Sequence, residues 1–392
     1  MSALFDPITI GGITLANRIV VSPMCQYSAI DGIAQDWHLV HIGNLMISGA
    51  SLVIMEATAV EAIGRITHGC LGLYDDDQER SLAALVGKVK KLSGAAIGIQ
   101  LSHAGRKGSN RSIADRWKGE VLPPEEGAWQ TVGPSAVAFD QGWPIPSEMT
   151  EEDIAALTAK FASAAARADR AGFDALEIHA AHGYLLHTFL SPISNHRTDG
   201  YGGTRDGRFR FPLEVARAVR QVWPTRKMLG FRINSTDWIP GGSTLNDAVA
   251  FAQALKAEGV DYAVMSAGNL AAGAKIPPAT PGHQVEFATR VKREAGMNAM
   301  AVGFIIEPAL AQSIVAEERA DAVALGRAML DNPRWGIHAA AALGIDVPYP
   351  TQYLRARPNN WPGFRVAHPQ TGDIATTQQM DRPPSHLWDR PK

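Results

Sequence analysis

The chain has 392 residues, of which 46% are hydrophobic and 19% charged, and its formal net charge is −2. That composition excludes a mainly disordered chain and suits one large core, while the near-neutral charge excludes a general field for nucleic acid or an anionic membrane surface. Two cysteines, Cys25 and Cys70, exclude a disulfide framework and any all-cysteine zinc or iron-sulfur site within one chain.

The first twelve residues have neither the basic start nor the apolar run of a secretory signal, and no later segment reaches spanning length without charges or helix breakers, so a cytoplasmic protein is expected. Ile8-Thr-Ile10 and Ile13-Thr-Leu15 flank Gly11-Gly12, the pattern of a two-residue hairpin that could plug the bottom of a barrel. Apolar β-like runs then follow at 19–24, 52–57, 96–101, 173–179, 228–234, 262–266, 299–303 and 321–326. Helical periods alternate with them near 37–49, 77–93, 150–171, 206–222, 244–258, 284–295, 307–318 and 333–343. Thr150 with Asp153 and Thr244 read as helix starts, and Gly172, Gly259 and Gly296 as left-handed stops.

Eight βα units whose strands are too apolar for a wet face point to a TIM (β/α)8 barrel with an N-terminal hairpin cap. An open doubly wound sheet is the competing architecture, but no strand-turn-helix carries the GxGxxG dinucleotide fingerprint. One barrel domain is expected over 1–366. Residues 102–149, rich in Gly, Pro and Trp, read as a long functional loop after the third strand, and 367–392 as a polar, proline-punctuated tail.

Barrel active sites lie at the C-terminal strand ends, and polar residues gather there in four places: Ser22-Pro-Met-Cys-Gln-Tyr27, Gln100-Leu-Ser-His103, His179-Ala-Ala-His182-Gly-Tyr184 and Arg232-Ile-Asn234. The seventh and eighth strands end in Val302-Gly303 and Leu325-Gly326-Arg327, where glycine, a helix start and arginine suit a phosphate. The His179/His182 pair has three readings: metal ligands lacking a third partner, a structural pair, or two donors to a carbonyl or phenolate oxygen. In the last, Tyr184, whose ordinary pKa is about 10, is the proton donor.

Taken in order, Asn17-Arg-Ile-Val20, Ser22-Pro-Met-Cys-Gln-Tyr27, Glu56-Ala-Thr-Ala59, Gln100-Leu-Ser-His-Ala-Gly-Arg106, Glu177-Ile-His-Ala-Ala-His-Gly-Tyr184, Phe189-Leu-Ser-Pro192, Asn195-His-Arg-Thr198, Tyr201-Gly-Gly203, Val302-Gly303 and Gly326-Arg327 carry a specific resemblance. Over residues 4 to 357 the chain resembles the old yellow enzyme family of FMN-dependent ene-reductases, and most of all its thermophilic-like subclass, which includes bacterial xenobiotic reductases.

That resemblance implies tightly bound, non-covalent FMN with Pro23, Met24, Cys25, Ala57 and Gln100 around the ring, Arg232 at its N1 edge, and Gly303, Gly326 and Arg327 at the phosphate. It implies NADPH or NADH as transient reductant and, as oxidant, an α,β-unsaturated carbonyl compound, maleimide or nitro compound. The substrate oxygen would lie between His179 and His182, with Tyr27 across the site and Tyr184 as acid. Arg355, with Trp361 as competitor, would reach the neighbouring site of a homodimer or larger homo-oligomer. The residues alone also allow a metal-assisted hydrolase or aldolase on a phosphate-binding barrel, using His179, His182 and His103.

Overall fold

The computed structural model describes residues 2–112 and 120–368. The N-terminal hairpin forms as the glycines suggest: β1 (Ile8–Ile10) pairs antiparallel with β2 (Ile13–Leu15), and Gly11 and Gly12 both take positive φ. Its turn is set against the barrel floor, since a side chain at Gly11 would strike Asp261 and one at Gly12 the backbone of Arg226.

Eight strands follow: β3 (Ile19–Val21), β4 (Leu52–Ala59), β5 (Ala96–Ser102), β8 (Ala175–Ala180), β9 (Met228–Asn234), β10 (Tyr262–Ser266), β11 (Asn298–Ala301) and β12 (Ala322–Leu325). They pair in parallel as a closed barrel in sequence order, β12 closing onto β3. β6 (Val132–Gly133) and β7 (Ser147–Glu148) make a small separate pair within the long loop after β5. The first strand stops at Val21, short of the expected 24, because Ser22 makes the last ladder bond, to Leu325, and Pro23 has no N–H to continue it.

The layer between strands and wall is formed by α1 (Asp36–Met46), α2 (Asp76–Val89), α3 (Glu151–Arg170), α5 (Arg205–Val222), α6 (Leu245–Ala257), α7 (Val285–Arg290), α8 (Pro308–Ala316) and α10 (Trp335–Ala342). Thr150 and Thr244 cap α3 and α6 by reciprocal bonds with Asp153 and Asp247. Gly172, Gly259 and Gly296 are left-handed, as the chain after each helix requires. Three short helices were not foreseen: α4 (Leu185–Leu190), α9 (Arg327–Asp331) and α11 (Phe364–Ala367). Every residue of α4 is buried, so its sequence carries no amphipathic period to read.

Two apolar clusters fill the molecule. One joins strands to helices; the other, inside the barrel, packs Ile10 and Leu15 of the hairpin against Leu52, Met228, Tyr262 and Met300, which makes the hairpin the barrel's lower plug. Among the described residues no helix is long and apolar enough to cross a membrane.

Candidate active site

Register sets the polar residues in layers across the upper barrel. Ala57, after a bulge in β4, lies beside Gln100; Gln100 lies beside Glu177, and Glu177 beside Gly230. Gly230 has to lack a side chain, because a Cβ there would enter the ring of Tyr262. Two residues further up, His179 lies beside Arg232, and Arg232 beside Val264. Alternation along a strand turns Glu177 and His179 to the same face.

A cavity of about 1580 Å³ opens at this end. Six of the expected residues line it: Pro23, Met24, Arg232, Gly303, Gly326 and Arg327, together with Ser22, Ser266 and Gln284. Gly303 has φ +107 and its Cα faces the Gln284 side chain closely. A Cβ at Gly326 would meet only the Met24 side chain, at 3.7 Å or more, so the space beside this backbone is open. Arg232 Nε is buried without a hydrogen-bond partner among the described residues, as are Glu177 Oε2 and Gln284 Oε1. Burial lowers the Arg232 pKa, against the pull of the Glu177 carboxylate.

Gln100 does not line that cavity; it donates to Glu177 Oε1 at 2.6 Å. Burial pushes the Glu177 carboxyl up to about 7, with Arg232 and Gln100 acting in the opposite sense.

The two histidines meet. His179 Nε2 lies 3.3 Å from His182 Nδ1, and His182 Nε2 lies 2.8 Å from Ser266 Oγ. Burial first, then the Arg232 charge, holds both pKa values well below the ordinary one, so both rings are neutral at pH 7. Tyr184 stands edge-on to His179, ring centroids 4.9 Å apart, and burial raises its phenol pKa.

Beneath the first strand end, Gln26 N–H donates to Glu56 Oε2 at 3.0 Å and fixes the turn that carries Cys25 and Tyr27. Cys25 is half-buried; burial raises its pKa and keeps it a thiol, against the opposing influence of the Ala57 backbone and Tyr27. Tyr27 has φ +52, and its pKa is raised by burial and by Cys25. Cys70 is buried against Thr67, a packing position. His103 is spent elsewhere: its Nε2 lies 3.0 Å from Glu61 Oε1. Although burial acts to raise Glu61, His103 and Lys160 bring it down to about 2. Among the described residues no three His, Cys, Asp or Glu side chains are grouped as a metal ion would need.

Arg355 and Trp361 lie on the exposed C-terminal segment, Arg355 in a 3-10 turn over Thr351–Ala356. Trp117 and residues 369–392 lie outside the described residues. Sequence reading assigned no role to Glu56, Glu177, Ser266 or Lys107. Glu56 and Glu177 stood within quoted motifs; for Ser266 and Lys107 the signal is only contact with partners distant in sequence.

Residues 3–344 match the NADH:flavin oxidoreductase / NADH oxidase family. The chain belongs to that family. It is the old yellow enzyme family that the motifs resemble, and the chain is an FMN-dependent NAD(P)H oxidoreductase rather than a hydrolase or aldolase. The chain is 44% identical over 358 residues to an NADPH dehydrogenase of Listeria monocytogenes, spanning 91% of this chain and 99% of that one. Morphinone reductase superposes with TM-score 0.72 at 26% identity, covering 92% of each chain, and it has also been solved in complex with tetrahydroNAD. The barrel superposes with TM-score 0.77 on 2-naphthoyl-CoA reductase, covering 88% of this chain and 52% of that one; at 24% identity this is a likeness of fold.

The flavin of this oxidoreductase family fits the residues present. A buried guanidinium nitrogen without an acceptor, Arg232 Nε, faces the cavity where an electronegative ring edge would satisfy it. At the other end Gly303, the open backbone of Gly326 and Arg327 form a wall suited to a phosphate.

Proposed function

We propose that the chain binds FMN tightly and without a covalent bond, and reduces the activated C=C bond of α,β-unsaturated carbonyl compounds, maleimides or nitro compounds at the expense of NADPH or NADH. Pro23, Met24, Cys25, Ala57, Gln100 and Arg232 would hold the ring, and Gly303, Gly326 and Arg327 the phosphate. The chemistry FMN supplies when bound is hydride transfer, from the nicotinamide in one half-reaction and to the β-carbon of the alkene in the other.

The observation that carries this reading is the register of His179 beside Arg232, which sets a pair of neutral imidazoles next to a guanidinium whose Nε is buried without a hydrogen-bond partner among the described residues. His179 and His182 donate to the substrate's electron-withdrawing oxygen and stabilise the negative charge that grows there as the β-carbon is reduced. Tyr184 keeps its proton at pH 7, because burial raises its pKa, and gives it to the α-carbon. Tyr27 binds the substrate from across the site. One pocket serves both substrates in turn, which gives ping-pong kinetics; the solved complex of morphinone reductase with tetrahydroNAD supports nicotinamide entry into such a barrel.

We also propose a homo-oligomer in which Arg355 or Trp361 completes the neighbouring site; Tyr353 at 42%, Leu354 at 38% and Trp361 at 40% exposure leave apolar surface on that segment. Arg355→Ala should raise KM for the alkene without changing flavin content, and light scattering should give a mass above one chain.

The deciding experiment is anaerobic spectroscopy of the purified protein. Flavin absorbance should bleach with NADPH and return with cyclohexenone. Protein that stays colourless and cannot be reconstituted with FMN refutes the reading. Tyr184→Phe should slow reoxidation by the enone and leave reduction by NADPH unchanged.

A further inference from the structure

The 3-10 turn Gly105–Lys107, directly after β5, carries two basic side chains, Arg106 buried and Lys107 half-buried, that have no carboxylate partner within hydrogen-bonding distance among the described residues. Arg106 is consumed by carbonyls: Nη1 donates to Val137 and Ala138, Nη2 to Leu270. Those bonds staple the long loop to the chain after β10. Lys107 is different. Its Nζ donates to the His182 carbonyl at 2.8 Å and to the Asn269 carbonyl at 3.1 Å, and the same ammonium stands 5.2 Å from the centroid of the Tyr184 ring and 4.7 Å from that of Phe139.

We propose that Lys107 is a positioning residue for proton donation: its ammonium, fixed over the Tyr184 ring by the His182 and Asn269 carbonyls, stabilises the phenolate that Tyr184 becomes when it gives up its proton. This rests on Tyr184 being the proton donor.

A phenol in this setting is a poor acid, because burial penalises its anion. A cation within about 6 Å of a ring face attracts its electron density, and attracts it far more once the ring carries a full negative charge. The interaction is therefore stronger after proton release than before, the condition for accelerating that step. The proton moves from Tyr184 Oη to the α-carbon of the substrate, and the phenolate regains one from solvent. Lys107 itself neither gains nor loses a proton in the step.

The placement is built from three elements. The turn after β5 supplies the ammonium, the segment after β8 supplies the ring and one carbonyl, and the loop after β10 supplies the other carbonyl. Gly183 fits this packing closely: it has φ +76, and a Cβ there would run into the Asn269 carbonyl and approach the Lys107 stem. The groups facing the ammonium are Arg106 on its own turn, His179 of β8, His182 and Tyr184 after β8, and Phe139 of the long loop; among the described residues no carboxylate is one of them. Burial, then the Arg106 charge, lowers Lys107 to about 8, so it is charged at pH 7 and loses that charge in mildly alkaline solution.

The test compares FMN-loaded wild type, Lys107→Met, Lys107→Arg and Tyr184→Phe in rapid-mixing measurements of both half-reactions, with a phenol titrated into each to check that the site is intact. In Lys107→Met the enone half-reaction should slow about tenfold while nicotinamide reduction and phenol affinity hold. Lys107→Arg should recover most of the rate. In wild type the enone half-reaction should fall above about pH 8, and in Lys107→Arg that alkaline limb should disappear. An unchanged enone rate in Lys107→Met, with Tyr184→Phe slow, overturns this inference and spares the donor reading. Equal losses in Met and Arg variants also overturn it, by reducing Lys107 to a structural tie. An unchanged rate in Tyr184→Phe removes the donor reading and this inference with it.

Discussion

His179 Nε2 and His182 Nδ1 lie 3.3 Å apart, nitrogen facing nitrogen. His179 Nδ1 accepts the Ala181 N–H, so the His179 proton is on Nε2. With both rings neutral, His182 Nδ1 then accepts from His179, and His182 Nε2 donates to Ser266. Two donors for one substrate oxygen require the other His182 tautomer, with its proton on Nδ1 and Ser266 turned round to donate to Nε2. A serine hydroxyl can do both. Ser266→Ala should therefore weaken a phenol ligand and raise the enone KM by about tenfold, the worth of one hydrogen bond to a charged oxygen. Nicotinamide reduction should be unaffected. Equal phenol affinity in wild type and variant would remove Ser266 from the tautomer change.

The two cavity glycines should separate in behaviour. Alanine at 303 would hold a side chain at φ +107, with its Cβ 2.9 Å from that of Gln284, a strained position worth roughly 1–3 kcal/mol. Alanine at 326 would meet only the Met24 sulfur, at 3.7 Å, in the flavin-free protein. Gly303→Ala should lower Tm with or without FMN. Gly326→Ala should melt like wild type without FMN yet retain less of it, because the methyl group occupies the space a phosphate would approach.

These glycines show what the sequence made legible. The runs 228–234 and 262–266 coincide with β9 and β10 because the apolar residues of each are buried on both faces, with Arg232 and Asn234 as the polar interruptions at the upper end of β9. Gly303, Gly326 and Arg327 were readable as one wall of the cavity because they stand at the ends of the last two strands, where a barrel opens its site. Helix α4 was not, being buried all round. Lys107 was not either: what distinguishes it is two carbonyls that folding brings from 75 and 162 residues away, with the Tyr184 ring beside them, and no local pattern marks that. Ser266 reads from sequence as the end of an ordinary strand.

Glu177 gives the protein a pH dependence of stability. Its carboxyl rises from an ordinary 4.5 to about 7 on burial, despite Arg232 and Gln100. Between those values the folded state holds a proton that the unfolded chain releases, so this group's contribution falls as pH rises from about 4.5 to 7 and is level beyond. The ceiling is roughly 3 kcal/mol. Glu177→Gln, which keeps the amide acceptor and removes the charge, should raise Tm relative to wild type at pH 8, the gap closing at pH 5. A gap independent of pH would assign the effect to packing.

Arg232 is the last and most exposed to test. Among the described residues its Nε has no acceptor, and its side chain lines the cavity with the Glu177 carboxylate beside it. If the ring edge of FMN is what satisfies it, Arg232→Gln should bind FMN about tenfold to a hundredfold more weakly by fluorescence titration, since a charged hydrogen bond contributes about 1.5–3 kcal/mol. The midpoint potential of the FMN retained should become more negative, because a cation beside the ring favours the reduced, anionic form. Arg232→Lys should recover the potential better than the affinity, as an ammonium keeps the charge but not the planar fork. Loss of affinity with an unmoved potential would locate Arg232 away from the ring.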